Sequence, residues 1–399
     1  MDRRRISIFL CALAQNIAFG SLYGSFGPLL PSTVAKFDIS LVTATMAMSV
    51  VTLAIAGSAP FAGILIQRTS IRAAMSAAAA TSALCFVAIA LATSYTVVLV
   101  AYGILGMSAV VLGIIGPVSL VNRLFESGRG RVLGLIHMPL LLMVAPIVIA
   151  ELLPLCGRAG ILFGIAALFA AIAPFLLTLI PSFSTDSDPD RPSTDGPADS
   201  EDPKLGKRSM FALVPLSLSV GVIAAGSVVY MAHIVPFGLG RGMTLASASL
   251  LISLYSGFGV AGSPVAGWVA DRIGAYWTLA LAAVLIGVIW ILLPATQGPI
   301  IFVAASLLGF FAAPINTMHA AAVSTLFDAA KVGRAMGISY LFKLPILVSA
   351  APLVAFAVGQ YQSYNQPFIL LAMITFLAAG LAVSASAIAR QPRSSPTIP

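Results

Sequence analysis

The chain has 399 residues, of which 59% are hydrophobic and 9% charged, with a mean hydropathy of +1.04. No soluble domain has a core large enough to hide that much apolar sequence, so the composition excludes a soluble globular protein and makes lipid the main solvent. A net charge of +8 would suit a nucleic-acid binder, but seventeen of the 21 Lys and Arg fall in one alternating set of loops and termini, the positive-inside pattern, which puts both ends in the cytoplasm and argues against nucleic acid.

Arg3, Arg4 and Arg5 precede an apolar run from 6 to about 30 that is too long for a secretory signal and reads as a first span, leading outward. Eleven more apolar stretches follow, near 41–66, 73–93, 96–122, 131–155, 160–181, 210–236, 246–270, 276–297, 299–325, 333–358 and 364–388. Each is long enough for a core of about 30 Å at 1.5 Å per residue. Between the sixth and seventh lies 182–209, which carries seven carboxylates and four prolines and cannot bury apolar surface. The expected organisation is therefore an N-terminal six-helix half over 1–181, a disordered acidic cytoplasmic linker over 182–209, and a C-terminal six-helix half over 210–399. Among the basic residues only Lys36, Arg158 and Arg241 fall on the far side, and only Lys343 falls inside a span. Cys11, Cys85 and Cys156 lack metal or redox spacing and read as small core residues.

The two halves share a pattern. At the end of the eighth stretch stands Gly267-Trp-Val-Ala-Asp271-Arg272-Ile-Gly274, and 204 positions earlier Gly63-Ile-Leu-Ile-Gln67-Arg68-Thr-Ser70 repeats it with glutamine in place of the acid. Leu124-Phe125 answers Leu326-Phe327, and Gly130-Arg131-x-x-Gly134 answers Gly333-Arg334-x-x-Gly337. Three matches in register indicate a duplicated half.

Twelve spans, a central cytoplasmic loop and the G-x-x-x-D-R-x-G loop together resemble the major facilitator superfamily over about 6–390. The resemblance implies an all-α integral membrane protein of two pseudo-symmetric six-helix halves. It also makes Gly63, Arg68, Gly267, Asp271, Arg272 and Gly274 gating-loop residues. Within that superfamily Phe19-Gly20 through Gly27-Pro28, the stretch from Asn122 to Gly134, and His233-Ile-Val-Pro236 are similar to the monocarboxylate and oxalate–formate transporter group. That group commonly carries an arginine in span eight, where 259–263 here are uncharged, and a lysine in span eleven, which Lys343 matches. The resemblance thus implies a small organic anion held by one cation.

Intramembrane charge is costly and usually functional, by about 2.5–3.5 kcal/mol per group on insertion scales. Lys343 in span eleven, with Tyr340 three residues back on its face, is the leading candidate for substrate contact. Asn316 and His319, three apart in span ten, are either further contacts or interhelical hydrogen-bonding partners. Asn16 and Tyr23 in span one, with Gln15, Tyr102 and Tyr255, supply further polar tips. Glu151 in span five is either a protonatable coupling residue or a carboxylate reaching interfacial water or Arg158, and His137, also in span five, is a second proton-coupling candidate. His233 is expected at the outer interface.

No nucleotide-binding loop, catalytic triad or metal cluster is present in the sequence, which argues against ATP-driven pumping and catalysis. The expected protein is a non-enzymatic, cofactor-free, monomeric secondary transporter of the inner or plasma membrane. It would use protons to move a small organic anion by alternating access. The alternative is proton-coupled export of amphiphilic drugs or metabolites.

Overall fold

The computed structural model describes residues 3–125, 129–181, 206–327 and 329–390. Almost all of the expected linker lies outside the described residues, as does the side chain of Gln67. Its last three positions belong to the next helix, which starts at Lys207.

The described residues are helical and contain no strand. The helices are α1 (Arg3–Gly24), α2 (Phe26–Phe37), α3 (Leu41–Arg68), α4 (Ile71–Leu91), α5 (Tyr95–Val110), α6 (Gly116–Leu124), α7 (Arg129–Ile136) and α8 (Leu140–Leu179). After them come α9 (Lys207–Gly240), α10 (Leu245–Ile273), α11 (Ala275–Leu292), α12 (Ile300–Ala312), α13 (Ile315–Leu326), α14 (Ala329–Tyr361) and α15 (Asn365–Arg390).

Eleven segments are long and apolar enough to cross a membrane, and one of them, Val132–Leu179, runs for 48 residues. At 1.5 Å per residue that is about 72 Å, more than twice a ~30 Å core, so the chain must fold back. It does so at Gly157, whose φ of 65° and ψ of 172° no helix contains. The described residues therefore account for twelve crossings. The first crossing is longer than expected: α1 and α2 together run to Phe37, with a break at Ser25.

One apolar cluster draws on α1 to α8, joined only by Ala232 and Ala351, and a second draws on α9 to α15. Each half repeats its local devices. Ser40 Oγ accepts from Thr43 N–H to start α3, and 204 positions later Thr244 Oγ1 accepts from Ser247 N–H to start α10. Lys36, at the end of the first crossing, donates to Ala90 O at the C-terminus of α4 (3.2 Å) and lies over the Phe37 ring. Arg241, 205 positions on, donates to Pro294 O and Thr296 O just beyond α11 and lies over Phe237. Arg158 adds a bond to Ile89 O (3.4 Å) and one to Thr33 Oγ1 (3.3 Å). The three far-side cations are thus C-caps, supplying donors to carbonyls that a helix end leaves without partners.

The halves meet tightly at the far end. A Cβ on Gly27 would stand 2.8 Å from Ile252 Cδ1 and 3.1 Å from Val235 Cγ2, both in the other half. Ser49 of α3 donates to Val348 O of α14. At the end bearing the termini, Gly63, Gly134, Gly267 and Gly337 have nothing within 4 Å of an added Cβ.

Candidate functional site

Lys343 lies nine residues beyond Arg334 in the crossing Arg334–Tyr361, about 13 Å along the axis at 1.5 Å per residue. Its side chain is 1% exposed. Gly221 of α9 makes the room, since a Cβ there would stand 3.1 Å from Lys343 Cγ. The ammonium meets two groups, His319 Nδ1 at 3.3 Å and the Tyr340 ring, whose centroid is 3.9 Å away. An ammonium has no lone pair, so it donates to Nδ1 and leaves Nε2 as the protonated nitrogen. Nε2 faces Ser339 Oγ at 2.9 Å, and Ser339 Oγ lies 2.6 Å from Ser217 Oγ of α9. Tyr340 is 44% exposed, and Tyr23 on α1 is near enough for the two phenols to influence each other.

Lys343, His319 and Tyr340 are thus brought together, with Tyr23 facing them. Asn316 is not: the chain breaks at Ala313–Pro314, α13 begins at Ile315, and Asn316 is exposed in its first turn while His319 is buried. Ser339, Ser217 and Gly221 were not anticipated. Small hydroxyls and glycines recur throughout the spans, and only the polar residue His319 hinted at partners.

A second polar cluster occupies the N-terminal half. Pro117 has no N–H to give the carbonyl four residues back, at Gly113, and a π-helical turn, Val111–Ile115, forms there. His137 Nε2 lies 3.0 Å from that Gly113 O and its Nδ1 lies 2.8 Å from Leu133 O, bridging the π turn to the end of α7. Three residues on, α8 starts after Pro139, and its Leu141 N–H donates to Asn16 Oδ1 at 2.9 Å, while Asn16 Nδ2 donates to Ala12 O. Asn16 thus joins α1 to α8 through Oδ1 and spends Nδ2 on its own helix.

Three other expectations change. Arg158 turns to Thr33 and Ile89 rather than to Glu151, which stands exposed on α8. His233 is buried rather than interfacial, with Nε2 2.9 Å from Ala351 O and Nδ1 3.4 Å from the Tyr364 hydroxyl. Cys156 is exposed, unlike Cys11 and Cys85. At the terminal end Asp271 is exposed, and Arg272 folds back over the Trp268 ring (3.4 Å to the centroid) and donates to Trp268 O. Gly274, at φ 86°, carries the chain from α10 directly into α11. Gly63 and Arg68 lie at the corresponding end of α3, with Arg68 exposed. A cleft of about 480 Å³ opens between the halves at the far end, lined by Ser40, Arg241 and Tyr364 among others, and Lys343 does not reach it.

With this geometry in hand, residues 216–398 match the sequence model of the Major Facilitator Superfamily. Comparison with curated proteins gives no match. Among solved structures, a bacterial homologue of the human lysosomal transporter Spinster, inward-facing and occupied, superposes with a TM-score of 0.78 at 11% identity, over 99% of this chain and 100% of that one. A POT-family transporter in complex with a thioalcohol-conjugated peptide gives 0.78 at 13% identity over 96% of each chain. A mutant peptide transporter POT in complex with sulfate gives 0.76 at 15% identity, over 98% and 99%. The fold is the major facilitator fold. These likenesses are to membrane transporters and not to enzymes.

Proposed function

We propose that this protein is a secondary active transporter of the major facilitator superfamily. It moves a small organic anion, monocarboxylate-like, across the plasma or inner membrane by alternating access, driven by protons. Lys343 is the anchor of the anion, Tyr340 and Tyr23 form the walls on either side of the divide, and His319 orients the ammonium. The loops around Gly63, Arg68, Asp271, Arg272 and Gly274 close in one state of the cycle and separate in the other. The resemblance to monocarboxylate transporters supports the substrate class, and the basic-residue asymmetry supports cytoplasmic termini.

One observation carries this reading. Lys343 is the only Lys or Arg inside a span, it is buried beside His319 and Tyr340, and the sequence from 207 to 399 has only two carboxylates, Asp271 and Asp328. Such a cation needs a charge from outside the protein. The test is thermal-shift binding to the purified protein of a panel of small carboxylates against a panel of amphiphilic cations. Stabilisation by a carboxylate, lost in Lys343→Ala, is expected. Stabilisation by the amphiphilic cations alone would transfer the assignment to drug or metabolite export. Single-cysteine labelling at Ser193 tests the orientation, with protection from an impermeant external reagent expected.

A further inference from the structure

The anion-anchor reading leaves open where the coupled proton is held, and the charges around Lys343 narrow the answer. Four helices pack against α14: α3, α9, α13 and α15. Between Leu41 and Arg68, α3 has no titratable side chain, and α9 has none between Arg208 and Tyr230. On α13 His319 is the single titratable residue, and α15 has none before Arg390. On α14 itself the neighbours are Tyr340 at the ring contact and Arg334 nine residues away, and Tyr23 is the group facing from α1. Among the described residues no carboxylate faces the amine. A permanent ammonium at 1% exposure would then stand uncompensated whenever the transporter is empty.

Resting on the anion-anchor reading, we infer that Lys343 is also the proton-coupling site: its amine is neutral in the empty protein and takes up one proton together with one carboxylate. The Nζ lone pair takes that proton from solvent admitted with the substrate or from the acid form of the substrate. The carboxylate then pairs with the resulting ammonium, no other bond being made or broken, so that a net neutral pair is loaded. His319 and Ser339 make the two states compatible. With the amine neutral, His319 Nδ1–H donates to Nζ and the Ser339 hydroxyl donates to Nε2. With the ammonium formed, Nζ donates to Nδ1 and Nε2–H donates to Ser339 Oγ. A serine hydroxyl serves either role by rotation, which an alanine or an amide cannot do. Ser339 is therefore a positioning residue, acting through the imidazole. His137 and Glu151 lie away from the amine: the first is held in the other half between the Leu133 and Gly113 carbonyls, and the second is exposed on α8.

The test is proton uptake, read by a pH dye in weakly buffered solution, as the purified full-length protein is titrated with whichever of lactate, pyruvate or formate stabilises it. About one proton per carboxylate bound is expected, with affinity falling about tenfold per pH unit on the alkaline side. In Ser339→Ala binding should persist at low pH, with the alkaline fall moved to lower pH, because the ammonium-accepting tautomer has lost its acceptor. Binding without proton uptake, at constant affinity from about pH 6 to 9, overturns the inference and leaves the anion anchor standing. Uptake that disappears in His137→Gln or Glu151→Gln while the carboxylate still binds also overturns it, since the proton then resides elsewhere. If none of the three carboxylates binds, the anchor reading itself falls and takes the inference with it.

Discussion

Two polar clusters lie inside this membrane protein, one in each half, and they solve different problems. In the N-terminal half Asn16 and His137 serve backbone groups freed by a break in the helix: the first N–H of α8, the carbonyls of Leu133 and the carbonyl of Gly113 that Pro117 leaves without a donor. In the C-terminal half Ser217, Ser339 and His319 converge on a side chain, Lys343, that no backbone irregularity requires. A polar residue that repairs the main chain has spent its capacity and contributes to stability. One that supports an uncompensated charge has capacity left for a ligand.

The largest effect that would break this contrast is expected at Lys343. Lys343→Ala should cost about 2–5 kcal/mol of carboxylate binding while the melting temperature stays level or rises, because the cost of burying the amine is removed. Lys343→Arg should recover little, since a planar fork replaces a compact ammonium. Next, Gly221→Ala places a methyl 3.1 Å from Lys343 Cγ, and the crowding should cost about 1–3 kcal/mol, shared between binding and thermal stability. In the other cluster the sign of the contrast reverses. Asn16→Ala should lower stability by about 0.5–2 kcal/mol through the lost cap on α8, measured by thermal unfolding, and move carboxylate affinity far less than Lys343→Ala does. A large affinity loss with unchanged stability would place Asn16 with the ligand instead. The smallest stability change, about 0–1 kcal/mol, is expected for Asp271→Asn at the water boundary, where the effect should fall on turnover in a liposome assay. Restoring the acid with Gln67→Asp should change turnover less.

Much of this was legible in the sequence. The crossings follow from uninterrupted apolar runs, and the depth of Lys343 follows from its being the one cation inside them. His319 was visible as a polar residue on an apolar helix, but its pairing with Asn316 was not reliable. Both residues lie in α13, but Asn316 in its first turn is exposed while His319 is buried, so a shared spacing did not give a shared environment. Ser217 and Ser339 are 122 residues apart and chemically ordinary, so only the fold could join them. The duplicated caps were hidden for another reason. Ser40 and Thr244, or Lys36 and Arg241, preserve a role and not an identity, and a search for matching letters passes over them.

The cations at the far face carry one more consequence, for the field that a ligand meets there. Each helix ending at that face exposes carbonyls equivalent to about half a negative charge. Around a narrow mouth, several such ends would form a negative collar that repels an approaching carboxylate and attracts cations. Lys36 and Arg158 sit on the end of α4, and Arg241 on the residues just beyond α11, so the collar is cancelled at the same station in both halves. Residues that look like violations of the positive-inside rule thereby offset the carbonyl charge at the far face in both halves, their own charge being taken up by the helix ends they cap.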